Sequence, residues 1–148
     1  MKTIFLSLSL LLMTGCAGRH TGNTSYVTPH LNNEEAIRSI AADTTSCLVA
    51  LYPPGKTTLR LDTGKSKSSF SDTLEDALRA RGFSILAPGS VDSHSVQVKY
   101  ILDQLRTTSQ TWLLRLRLNS PTENRRMMRS YTMSGQPAAG FSTIGGAQ

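Results

Sequence analysis

Cysteine is scarce, with only two in 148 residues, Cys16 and Cys47. That count excludes a disulfide framework and a cysteine-built zinc centre. Histidine is nearly as scarce: His20 and His30 fall in polar stretches ahead of the first regular element, and His94 sits beside a turn. No preorganised acid–base site or metal shell can be assembled from them. No serine occupies a Gly-x-Ser-x-Gly elbow, and Gly64-Lys65 lacks the preceding glycine that a phosphate-binding loop needs. Asp72, Glu75 and Asp76 suggest a carboxylate cluster, yet they fill the early turns of an expected helix, where the dipole favours negative charge. Asp62, Asp92 and Asp103 have no pairing spacing. No enzyme template is met, and no cofactor or metal is expected. Long apolar runs are lacking too. The longest, residues 4–13, is interrupted by Ser7 and Ser9 and is about half the roughly 20 residues a membrane-spanning helix requires.

What that run does have is a context. It follows Met1-Lys2 and leads into Met13-Thr14-Gly15-Cys16, the basic, apolar, small-residue order of a secretory signal peptide. The cysteine at its end resembles the bacterial lipobox, with Met13 where leucine is usual. The resemblance implies cleavage after Gly15 and lipidation of Cys16, an S-diacylglycerol on the thiol and an N-palmitoyl on the new amine. Ala17 follows in place of an acidic residue, which favours the outer membrane, periplasmic face, over inner-membrane retention. Cys47 is then left without a partner in an oxidising compartment. Its place on the flank of an apolar helix face makes it a small core residue rather than a reactive thiol.

Sixteen basic residues against ten acidic ones leave a formal charge of +6. That excess favours anionic partners: lipid head groups, peptidoglycan, acidic protein faces or nucleic acid. Hydrophobic content of 39% and charge of 18% are those of a globular chain.

Four regions are expected: a cleaved signal peptide over 1–15, a lipidated flexible tether over 16–32, a globular domain over 33–133, and a Gly/Pro/Ser-rich tail over 134–148. The tether is polar and aperiodic, with a root-mean-square reach of roughly 20–25 Å. In the domain, Asn32 or Asn33 can cap a helix carrying Glu34 and Glu35 in its first turn. Ile37, Ile40, Ala41, Thr44, Leu48 and Leu51 fall on one face, and Pro53-Pro54 ends the helix. Thr57, Leu59 and Leu61 alternate with polar residues as a strand. A second helix spans about 69–81, with Phe70, Leu74, Ala77 and Leu78 as its stripe and Gly82 as its left-handed cap. A short strand over 83–87 follows.

Three longer strands then alternate. Val96, Val98, Tyr100 and Leu102 form one apolar face, and Trp112, Leu114, Leu116 and Leu118 another. The third, over 125–133, has an ambiguous register, because Arg129 shares a face with Met127, Tyr131 and Met133. The expected fold class is α+β: two helices packed on one face of a mostly antiparallel sheet of four or five strands.

One cluster carries chemistry worth weighing. If the last two strands form a hairpin, outward arginines among Arg115, Arg117, Arg125, Arg126 and Arg129 share a sheet face. That face could dock an acidic protein surface or a phosphate, or simply be a solvated face that resists edge pairing. Direct nucleic-acid binding is disfavoured, because no exposed aromatics are interleaved for base stacking.

The run Leu51-Tyr52-Pro53-Pro54-Gly55-Lys56-Thr57 resembles the conjugal transfer lipoprotein family TrbH. So do Phe70 … Leu74 … Ala77-Leu78-Arg79-Ala80-Arg81-Gly82-Phe83, Trp112-Leu113-Leu114-Arg115-Leu116, Arg129-Ser130-Tyr131, Gly135 and Ala139-Gly140-Phe141. The resemblance implies a structural outer-membrane component of a mating-pair-formation (type IV secretion) apparatus that moves plasmid DNA. It implies contacts with channel-wall proteins of the TrbG and TrbI kind, within an assembly that can hold several copies, and no catalytic residues. The alternative is a stand-alone envelope lipoprotein that excludes incoming plasmids or binds an envelope ligand.

Overall fold

The computed structural model describes residues 24–29, 31–64, 67–106 and 110–144. The signal sequence, Cys16, most of the expected tether, His20, His30 and the Thr107–Ser109 connection lie outside the described residues.

The first helix, α1 (Glu34–Leu51), starts where its cap dictates. The Asn33 side chain accepts from the amides of Glu35 at 3.0 Å and Ala36 at 3.3 Å, two of the donors a helix start leaves unpaired. Ile37, Ile40, Ala41, Thr44 and Leu48 are buried along one stripe. The helix ends at Tyr52, immediately before the two prolines. The second helix, α2 (Ser69–Ala80), opens on a capping box in which Ser68 and Ser71 satisfy each other's backbone amides. It closes on Gly82 at φ +90°, a left-handed conformation that a side chain would strain. Phe70, Leu74 and Leu78 are buried, as the stripe predicts.

The strands are β1 (Tyr26–Val27), β2 (Thr58–Leu61), β3 (Ser84–Ile85), β4 (Val96–Arg106), β5 (Gln110–Asn119), β6 (Asn124–Tyr131) and β7 (Ser142–Ile144). Among the described residues they form one seven-stranded sheet in the order β3-β2-β4-β5-β6-β7, with β1 also paired to β4. The β4–β5, β5–β6 and β6–β7 pairs are antiparallel, whereas β1, β2 and β3 enter parallel pairs. The α+β class therefore holds, but the sheet is mixed and wider than four or five strands.

The difference has physical causes. The unit β2–α2–β3 is a helical crossover, and a crossover returns the chain in a parallel sense. The two-residue strand β1 is too short to show an alternation, whereas β3 falls within the short strand expected over 83–87. β7 reads Ser-Thr-Ile inside a Gly/Pro/Ser-rich stretch, and only its pairing with Arg126–Met128 makes it a strand. Regions read as tether and tail thus contribute β1 and β7 to the sheet.

Both helices lie on one face, over Leu59, Val98, Tyr100, Leu102, Trp112, Leu114, Leu116, Leu118 and Tyr131, all buried. Phe70 of α2 meets Tyr100 of β4 edge to face, with centroids 5.2 Å apart, a favoured geometry for aromatic quadrupoles. The chain after β6 crosses the first turn of α1 at Gly135. There φ is +84° and an added Cβ would stand 2.7 Å from Ala36 Cα, so only glycine allows the approach. Ser39 Oγ donates to Gly135 O at 2.8 Å and fixes the crossing.

Candidate functional site

The strand register divides the five arginines between two surfaces. In antiparallel pairs, residues opposite each other project from the same face. Buried Leu116 lies opposite Tyr100 and Met127, so their neighbours Lys99, Arg117 and Arg126 form a row on the other face, where Arg126 is exposed, Arg117 half-buried and Lys99 largely covered. The next row holds Ile101, Arg115 and Met128. On β2, Arg60 alternates with the buried Leu59 and stands beside Gln97, which extends the basic band across four strands.

Two carboxylates share this face. Asp103 takes Arg115 as an ion pair, and Asp62 lies 3.9 Å from the Lys99 ammonium. Arg117 and Arg126 have no ion-pair partner among the described residues. They border a shallow hollow of about 250 Å³ that also includes Thr24, Ile101, Met128 and Ile144. A second hollow of similar size, about 250 Å³, is lined by Arg60, Asp62, Val91 and Gln97. Within it the buried Arg60 Nε has no hydrogen-bond partner among the described residues.

Arg125 and Arg129 project toward the helix side. Arg125 Nε donates to Glu123 at 2.9 Å. Arg129 Nη1 donates to both carboxylate oxygens of Asp43 on α1 at 3.0 Å, and its Nε donates to Ala139 O at 2.7 Å. Its guanidinium lies 6.0 Å from the Tyr131 ring centroid and 4.8 Å from that of Phe141, within cation–π range. The Tyr131 hydroxyl donates to Asp43 at 2.8 Å. This ambiguous arginine of β6 is thus a latch that ties α1, β6 and the chain beyond Gly135 together. One turn along α1, the half-buried Cys47 is pushed up in pKa by burial and by Asp43. A thiol held protonated is a poor nucleophile, in keeping with its packing role.

Sequence reasoning missed Arg60, Lys99 and Tyr26 as parts of the basic face. The alternation in β2 and β4 held the signal for the first two, but joining them to Arg117 and Arg126 required the strand order. The carboxylates on α2 have ordinary partners. Glu75 is held below the usual carboxylate range chiefly by its hydrogen bond to Arg79, and Lys67 sits nearby at 3.6 Å. Among the described residues no group of three His, Cys, Asp or Glu could hold a metal ion. No helix there is long and apolar enough to cross a membrane.

Two tyrosines set the alkaline limit of this body. Burial pushes Tyr100 up to about 12 from an ordinary 10. Tyr131 moves the same way, through burial and the adjoining Asp43 carboxylate. A folded pKa above the unfolded one means that the folded state keeps a proton the unfolded chain releases. The stabilisation is complete below about pH 10 and is lost as pH rises toward 12, roughly 2 kcal/mol from Tyr100 alone. Phenolate absorbance and circular dichroism followed together should show these two of the four tyrosines ionising only as structure is lost. Ionisation of all four in a still-folded chain would contradict their burial.

The model of a family described as conjugal transfer protein TrbH matches residues 19–145. The chain is also 28% identical over 101 residues to a probable conjugal transfer protein TrbH of Sinorhizobium fredii (strain NBRC 101917 / NGR234), an alignment covering 68% of this chain and 67% of that relative. No solved structure matches it. These similarities put the chain among the proteins of conjugal transfer. Within that class it belongs to the TrbH family.

Proposed function

We propose that this protein is a lipid-anchored structural component of a conjugative type IV secretion apparatus, held at the periplasmic face of the outer membrane. Membership of a conjugal transfer family over residues 19–145 carries the reading. The sequence ending in Gly15-Cys16 supplies the anchor, with cleavage after Gly15 and lipid on Cys16. The role is assembly rather than catalysis. A tethered two-layer body suits docking, and the channel-wall proteins of the apparatus, those of the TrbG and TrbI kind, are the partners it would meet.

Capture of the acylated protein from outer membranes of a plasmid-bearing donor should bring those channel-wall proteins with it. Recovery in the soluble periplasm, free of every transfer protein, would overturn the reading.

A further inference from the structure

We infer that the face of the sheet away from the helices is a docking surface for the phosphate-bearing head groups of an anionic lipid leaflet, centred on the half-buried Arg117 and the exposed Arg126. The choice of a membrane as occupant rests on the reading of Cys16 as a lipid anchor.

The charge arrangement is the first argument. Lys99, Arg117 and Arg126 stand directly opposite one another on three neighbouring strands, and like charges so placed destabilise a sheet. Asp62 offsets the first of them at 3.9 Å, while the two arginines have no counter-charge among the described residues. An external anion would relieve that repulsion, and guanidinium groups match phosphate oxygens in geometry as well as charge.

The apolar rim is the second argument. Tyr26, opposite Ile101 on the same face, is 47% exposed, and Ile144, opposite Arg126, is 49% exposed. Exposed apolar and tyrosyl side chains around a basic centre fit the head-group region, where one end of a side chain meets hydrocarbon and the other water. A single-stranded nucleic acid would instead call for several stacking aromatics. Tyr26 is the one large exposed aromatic among the described residues.

The chain also enters the sheet beside this basic hollow. Thr24 lines the hollow that holds Arg117 and Arg126, and it lies eight residues after Cys16. Covalent geometry limits that span to about 29 Å, however it is arranged. A lipid on Cys16 keeps the basic hollow within that distance of the leaflet.

The test uses the chain from residue 16 onward, carrying Cys16→Ser, so that neither an acyl group nor the apolar run 4–13 contributes. It is floated with vesicles of phosphatidylcholine, either alone or containing phosphatidylglycerol. Preferential binding to the anionic vesicles is expected, weakened by salt as screening shortens the reach of the charges. Arg117→Ser with Arg126→Ser should reduce that preference by roughly 10-fold or more, from about 5-fold per cation near an anionic surface. The double variant should melt no lower than its parent, since it removes an opposed pair of like charges.

Equal binding to both vesicle types, or a preference that the double variant leaves intact, overturns the inference. Loss of oligonucleotide binding in the variant without any vesicle preference in the parent does so too, in favour of nucleic acid. Palmitate labelling of the wild-type chain checks the anchor separately. Label without anionic preference overturns this inference alone, whereas anionic preference without label on Cys16 supports the docking face and overturns the anchor.

Discussion

Cys16→Ser is expected to reduce plasmid transfer from the donor by ~100-fold or more, the order of effect seen when a tethered contact becomes a free one. The body of the protein should be unaffected, because position 16 lies well before β1, the first strand of the sheet. On the proposed reading, what changes is the local concentration of the chain beside its partners. An acylated chain would be confined to a layer of roughly a few tens of ångströms above the leaflet, and partners at that leaflet would meet it almost as neighbours. A soluble chain meets them only by diffusion through the whole periplasm. The paired measurements are palmitate incorporation and mating frequency. Undiminished transfer by a chain that takes up no lipid would remove the anchor from the mechanism, while leaving family membership untouched.

Asp43→Ala is expected to destabilise the fold by about 2–4 kcal/mol, since it strips a half-buried guanidinium and a phenol of their shared acceptor. The carboxylate takes both Nη1 contacts of Arg129 at 3.0 Å and the Tyr131 hydroxyl at 2.8 Å. Side-chain exposures of 19% for Arg129 and 21% for Asp43 leave little water to replace it. For a domain of this size the melting temperature should fall by roughly 10 °C.

The chain after β6 should loosen at the same time, because Arg129 also holds Ala139 O and stacks on Phe141. Protease cleavage between Gly135 and β7 is the readout. Pairing Asp43→Ala with Arg129→Met should recover part of the loss, because the unmatched charge is then gone. A double variant no more stable than Asp43→Ala would show that the latch works through packing rather than charge.

The latch and the basic row differ by one residue of alternation. Arg126 and Arg129 are three apart on β6, so they leave the strand from opposite faces. A hairpin of β5 and β6 alone cannot say which face meets the helices. Met127 and Tyr131 favour placing Arg129 inside, and Arg129 itself opposes it. Asp43, 86 residues earlier, resolves the conflict by supplying the buried counter-charge. Two positions short of that, Met127 is buried, and both its neighbours in the chain face outward.

What the sequence determined by itself is whatever depends on near neighbours. Asn33 capping α1, the prolines closing it, Ser68 opening α2, Gly82 ending it, and the alternations of β4 and β5 are all set within a few residues. So is the α+β class that follows from their succession. What only the tertiary structure decided is which distant residues share a surface. The parallel placing of β1, β2 and β3, the recruitment of Ser142–Ile144 as a strand, the Asp43–Arg129 latch and the row of Lys99, Arg117 and Arg126 are of this kind. The physical reason is that a two- or three-residue strand gains stability only from its partner's ladder, and a charge finds its place only from what stands opposite. Local pattern carries neither.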